Sequence, residues 1–237
     1  MERDKLIYYS HIHNGEYVKI LNAIKNNEEY KKLDIDNCIT IYDELYPKEL
    51  LDLKYPPLVL YYKGNLNLLK EEKIGVVGSR MACDYARKAT ECLVKKNLDK
   101  VVVSGLALGI DACAHENAFK TIGILGCGID YIYPKANTLL YKMVEENGLI
   151  LSEYPGLSKP LGYHFPFRNR IIASLSNTVY IMQSTINSGT MTTLNEALEL
   201  GKEIKVLPYD IFSEFGTNNN HLIAEGAGII LNDEIAI

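Results

Sequence analysis

Between Lys73 and Pro208 the chain repeats one alternation, a short and uniformly apolar run followed by a stretch with helical spacing. The apolar runs are KIGVV (73–77), KVVVS (100–104), TIGIL (121–125), GLILS (148–152), NTVYIM (177–182) and EIKVLP (203–208). Between them lie DYARKATECLVKK, IDACAHENAFK, NTLLYKMVEEN, RNRIIASLS and MTTLNEALELG. A strand with one wet face alternates apolar and polar residues, whereas one that is apolar throughout is covered on both faces. Parallel strands joined by crossover helices have that property. The pattern predicts an α/β fold, extended and Rossmann-like, with a doubly wound, mostly parallel sheet. A last stretch, NNNHLIAEGAGIIL, adds a helix and an edge strand.

Residues 1–37 differ in character, being polar and rich in Asn, Lys and Glu as far as Lys32. Within them YVKILNAIKNN (17–27) has amphipathic helical spacing, which predicts a small N-terminal helical segment for packing or partner contact. The Rossmann-like domain then occupies 38–237, entered through a short strand CITIY, a helix-like YPKELLDL, and PPLVLYYKGN, a strand closing on a Gly-Asn turn.

With 237 residues, 47% apolar and 23% charged, the composition is that of a globular chain with one substantial core. The start lacks a signal-peptide core, and no run of about 18 uncharged apolar residues occurs, so no membrane span is expected and the cytoplasm is the expected location. Five cysteines (38, 83, 92, 113, 127) have no metal-ligand or disulfide spacing, so neither a metal nor a cofactor is expected. A net charge of −5 argues against a broadly basic nucleic-acid binder and leaves room for a local basic groove.

In an open parallel sheet, ligands bind at the carboxyl ends of the strands. Three loops there combine glycine with a hydroxyl: Gly78-Ser79-Arg80, Ser104-Gly105 continuing to Gly109, and Ser188-Gly189-Thr190. Glycine lets backbone approach a ligand, and the following helix N-terminus attracts anions, so together they describe a phosphate-binding rim. GCGIDYIYP lacks the third glycine of a dinucleotide fingerprint and meets Pro134 where a helix should continue; Walker and G-x-S-x-G patterns are absent. Asp111 and His115 share a helix face, but two potential ligands without a third read as a structural pair, so no catalytic residue is assigned. GYHFPFRNR (162–170) places Arg168, Asn169 and Arg170 at a helix start near the same edge. Guanidinium groups suit phosphates and Tyr163, His164, Phe165 and Phe167 offer stacking faces, as in single-strand nucleic-acid binding; a satellite core with ordinary ion pairs is the competing reading.

These motifs resemble one family, the DNA-processing proteins called DprA or Smf. The resemblance rests on IGVVGSRMACDYA, VVSGLALGIDACAHENAF, TIGILGCGIDYIYPKANTLL, GLILSEYPG, FPFRNRIIASLS, SGTMTTLNEALELGKEI and HLIAEGA, in the family's order over about 41–231. It implies a homodimer that binds single-stranded DNA in a positive pocket, protects incoming DNA, and loads a RecA-type recombinase during natural transformation. Carried over by position, Arg80, Arg168 and Arg170 are the implied phosphate contacts. Gly78, Ser79, Ser104, Gly105, Ser188, Gly189 and Thr190 line the pocket, and Phe165 or Phe167 stacks a base. Asp111, His115 and Asn169 fix loop geometry. The chain departs from the family at Leu108, where arginine is usual, at Gln183-Ser184 and at 207–209. No winged helix is expected after Leu231, and the N-terminal module reads as truncated.

Two other readings use the same rim. LOG-type phosphoribohydrolases, acting on nucleoside monophosphates, carry a glutamate one turn after the glycine-threonine turn; here Thr193 stands there and Glu196 falls on another face. A sensor domain binding a small phosphorylated ligand is the second.

Overall fold

The computed structural model describes residues 2–185 and 188–235. Among them the sheet has nine strands: β1 (Cys38–Thr40), β2 (Val59–Gly64), β3 (Lys73–Gly78), β4 (Val101–Ser104), β5 (Lys120–Leu125), β6 (Leu149–Ser152), β7 (Thr178–Gln183), β8 (Glu203–Val206) and β9 (Gly228–Ile229). The α-helices are α1 (Glu2–Ile12), α2 (Tyr17–Lys25), α3 (Asp84–Lys96), α4 (Ile110–Asn117), α5 (Thr138–Asn147), α6 (His164–Leu175), α7 (Thr190–Glu199), α8 (Thr217–Ala224) and α9 (Asn232–Ile235). Strand order is β1-β2-β6-β5-β4-β3-β7-β8-β9. From β6 to β9 every pairing is parallel, while β2 pairs antiparallel with both β1 and β6.

Winding begins at β3, moves outward through β4, β5 and β6, then returns across the sheet through α6 to β7 on the other side of β3. Alternate residues of each strand feed opposite layers, which is why the strands read as apolar throughout. Ile74, Val76 and Val102 pack with Ala86, Leu93, Ile110 and Ala114 of α3 and α4. Val77, Val103, Ile124, Val179 and Ile181 pack with Ile171, Leu175, Leu194 and Ala197 of α6 and α7.

Several elements differ from the sequence reading at their edges. The YPKELLDL segment is a 3-10 helix over Lys48–Asp52. Helix α4 stops at Asn117 because β5 already begins at Lys120. Helix α6 begins at His164, so the aromatic stretch lies inside its first turn rather than ahead of it. Pro166 is tolerated there because the first N–H groups of a helix have no intrahelical partner.

The N-terminal segment holds two helices where the spacing predicted one. Helix α1 buries Leu6, Ile7 and Tyr9 against Ile20 and Ala23 of α2 and against Cys38, Val59 and Tyr61 of β1 and β2. Its buried face includes Ser10, whose Oγ accepts the Tyr61 hydroxyl at 3.1 Å, so a polar residue interrupts the stripe that the sequence would show. The turn between α1 and α2 uses positive φ at Asn14 (51°) and Gly15 (73°). Gly15 lies so close to the Glu153 carbonyl that a Cβ would overlap it, and the Ser158 hydroxyl donates to Asn14 Oδ1 at 3.3 Å.

Gly15→Ala therefore meets both a disfavoured backbone region and a fixed carbonyl. It is expected to lower unfolding stability by about 1–3 kcal/mol, read by chemical denaturation, with hydrogen exchange rising first in α1 and α2.

Candidate functional site

A crevice opens in a doubly wound sheet where the winding direction reverses, because the connections after two neighbouring strands depart to opposite faces. Those neighbours here are β3 and β7. At their carboxyl ends lies a cavity of about 560 Å³ lined by residues 77–80, Ala107, Asp111, Tyr133, Gly162, Phe165, Pro166, Arg168, Asn169, Ile172, residues 188–190 and Thr193. A hollow of about 80 Å³ beside it shares Arg80, Ala107, Tyr133, Phe165 and Arg168 and adds Gly105, Leu108 and Pro134. The three glycine-containing loops thus come together at the ends of adjacent strands β4, β3 and β7.

At the mouth, Arg80 is exposed, and its guanidinium carbon stands 5.5 Å from the centroid of the Phe165 ring. Tyr133 packs against the same ring with centroids 5.5 Å apart. The turn carrying Arg80 is fixed by Met81 N–H donating to Ser79 Oγ (3.1 Å) and Ile110 N–H donating to the Ser79 carbonyl (3.1 Å). On the opposite wall, Asn169 Nδ2 donates to the Gly189 carbonyl at 3.0 Å and anchors the start of α7. The Ser188 hydroxyl is buried there without a hydrogen-bond partner among the described residues.

Arg168 forms the floor, only 4% exposed. Its Nη1 donates to the Ile124 carbonyl, while its Nε is buried and unpaired among the described residues. Gly105 lies flat against this guanidinium, and a Cβ there would land on Nη1 and 2.6 Å from Asp111 Oδ2. Burial pushes the Asp111 carboxyl up from the usual carboxylate range, and the charge of Arg168 opposes that shift.

The loop after β4 is held by buried polar groups. Leu106, with a positive φ of 54°, donates its N–H to His115 Nε2 at 3.4 Å. With Nε2 accepting, Nδ1 carries the proton and donates to Thr121 Oγ1 (2.5 Å), which itself donates to the Val102 carbonyl (3.0 Å). Burial drives the His115 pKa down to about 3, so the ring is neutral at pH 7. Asn137 Nδ2 donates to the carbonyls of Leu106 (3.0 Å) and Ala107 (3.1 Å), clamping the loop from the far side.

Three expectations need correction. Arg170 does not reach the rim: its Nη1 and Nη2 grip Glu153 at 2.7 and 2.6 Å, and its Nε donates to the Tyr55 carbonyl at 2.9 Å. It is 2% exposed and holds α6 to the segment after β6. Ser104 is inside the sheet, its hydroxyl donating to the Val76 carbonyl at 2.6 Å, so it offers no donor to a ligand. Phe167 packs under Arg170, with the guanidinium carbon 3.7 Å from its ring centroid, and beside Tyr55, outside the crevice. Of the two phenylalanines, Phe165 lines the cavity. Tyr133 and Asn137 belong to the site and were not assigned to it from their loop, and Thr193 of α7 lines the cavity as well. The signal for these two lay in YIYPKAN, where Tyr133 and Asn137 frame the Pro134 turn.

Fold and site define an α/β chain of Rossmann type with a cationic, aromatic crevice at its switch point. Residues 37–237 match the family model of DNA recombination-mediator protein A. The chain is 40% identical over 213 residues to DNA processing protein DprA of Streptococcus pneumoniae, covering 88% of this chain and 74% of that one. It is 38% identical to the Bacillus subtilis protein of the same name over 205 residues, 84% and 69% of the two chains. Among solved structures, the S. pneumoniae DprA superposes with a TM-score of 0.81 at 34% identity, covering 95% of this chain and 92% of the other. DNA processing protein A from Helicobacter pylori, described for its single-stranded DNA binding mode, gives 0.76 at 36% identity over 82% and 91%. The chain belongs to the DprA/Smf family of DNA recombination mediators. Among the described residues no helix is long and apolar enough to cross a membrane.

Arg170→Ala strands the buried Glu153 carboxylate and is expected to cost about 3–5 kcal/mol of stability in denaturant titrations. For His115 the folded pKa lies below the unfolded value, so the unfolded chain binds the extra proton. Its contribution is complete above about pH 6.5 and shrinks as pH falls toward about 3. The stability of His115→Gln should accordingly fall less steeply than that of the native chain over that window, read as unfolding free energy against pH.

Proposed function

We propose that the crevice binds single-stranded DNA non-covalently and that the protein acts as a recombination mediator, protecting incoming DNA and loading a RecA-type recombinase during natural transformation. The observation that carries this reading is the cluster of Arg80, Phe165 and Tyr133 at the mouth, above the buried Arg168. A guanidinium beside an accessible ring serves a phosphate and an unpaired base together, whereas a paired base has no free face to offer. The start of α7, with its partial positive charge and Ser188, suits a second phosphate across the crevice. Gly189 has open space where a side chain would stand and leaves backbone accessible at the start of α7, whereas Gly78 is packed against Ile110 and Gln183. Membership of the recombination-mediator family and the single-stranded DNA binding of the H. pylori relative support the same reading. A homodimer working in the cytoplasm is the form in which we place it.

Binding rather than hydrolysis is favoured because Thr193 occupies the wall where LOG-type enzymes carry a glutamate, and Glu196 does not line the cavity. Asp111, the carboxyl group present, is enclosed with Arg168 and takes the Ala107 N–H at 3.4 Å.

Fluorescence anisotropy of a labelled oligothymidine across a salt series tests the proposal. Affinity should fall with a log–log slope of roughly −0.7 for each phosphate contacted. Arg80→Ala, at an exposed site, should weaken binding roughly tenfold and flatten the slope by about one contact without changing stability. Unaltered affinity in Arg80→Ala, or tight binding of a mononucleotide with none of the oligomer, would refute it.

A further inference from the structure

A second groove of about 750 Å³ lies between the α1–α2 turn and residues 155–164, and the crevice does not account for it. We propose that it holds the phosphates of the same DNA strand as the strand leaves the crevice, an inference that rests on the single-strand reading above.

The two depressions share a wall. Leu161, Tyr163 and His164 face the groove, while Gly162, Phe165 and Pro166 face the crevice. A chain leaving Phe165 over Gly162 meets the groove next. The side chains that line it have the chemistry of single-strand binding, cations interleaved with aromatic faces. Lys19 and Lys159 are exposed and have no acidic partner among the described residues. Tyr163 is 57% exposed at the lip. Glu16, the one acid in the lining, is engaged: its Oε1 accepts the Tyr163 hydroxyl at 2.7 Å and lies 3.6 Å from His164 Nε2.

An unpaired polar group within the groove points the same way. His13 Nε2 is buried without a hydrogen-bond partner among the described residues, whereas His164, only 3% exposed, turns its Nε2 toward Glu16. A buried ring nitrogen left unpaired is costly, and an anionic oxygen with its water shell supplies the missing partner.

The groove is also a fixed feature. Close approach of Gly15 to the Glu153 carbonyl and the Ser158–Asn14 hydrogen bond bind the α1–α2 turn to the opposite wall. That turn lies before residue 37, where the family match begins, so one wall belongs to a segment outside the match. The small N-terminal helices thereby acquire a role, as the carrier of Lys19 and His13 over the exit of the crevice.

Oligothymidines of about 4 and about 16 nucleotides bracket the usual single-strand site sizes and separate the two depressions. The double variant Lys19→Glu/Lys159→Glu changes exposed side chains only. It should bind the short oligomer within about twofold of the native protein and the long one roughly tenfold or more weakly, with the salt slope for the long oligomer reduced by about 1.4. Equal affinity of native and variant protein for the long oligomer, while Arg80→Ala still weakens both, would overturn this inference and leave the crevice reading standing. Failure of the native protein to bind either oligomer would overturn both.

Discussion

Two buried guanidinium groups on α6 hold the crevice face of the sheet in place. Arg168 reaches through the layer to the Ile124 carbonyl at the end of β5, and Arg170 grips Glu153 just past the end of β6. The helix that brings the chain back across the sheet is thereby fixed to two strands on the far side of the reversal. Burying a charge is costly unless it is paired and hydrogen-bonded. Arg170 has every donor group engaged, whereas Arg168 keeps an Nε unpaired among the described residues beside a cavity. The first is a structural clamp, and the second places positive charge on the floor of the crevice.

From that anchor the rest of the site follows. Once α6 is fixed, Phe165 projects from its first turn to meet Arg80 and Tyr133, and Asn169 one turn later holds the start of α7. The loop after β4 must then fit between Arg168 and α4, which allows no side chain at position 105. His115 and Asn137 hold Leu106 in its left-handed conformation from two sides. The stability of the fold and the shape of the crevice therefore rest on the same buried polar groups.

Much of this was legible in the sequence. Uniformly apolar runs revealed a sheet covered on both faces, and glycine-hydroxyl pairs after those runs marked the loops that meet at the switch point. Burial of individual polar side chains was not legible. FRNR presents two arginines alike, yet they lie two residues apart on a helix, so that one faces the cavity floor and the other faces Glu153 and Tyr55. Ser104 reads as a loop hydroxyl because the last residue of a strand and the first of a loop look the same in sequence. Helix α1 escaped notice because its inward face is short and carries a serine.

Single-strand binding in the crevice requires an unpaired base to lie on Phe165 and Tyr133 beneath Arg80. Photocrosslinking of an oligonucleotide carrying a halogenated uracil, followed by peptide mass spectrometry, reads that contact itself. Adducts on Phe165 or Tyr133 should form and should disappear on competition with unlabelled oligothymidine. Competed adducts confined to other exposed aromatics, such as Phe212 and Phe215, would show that the strand is held elsewhere.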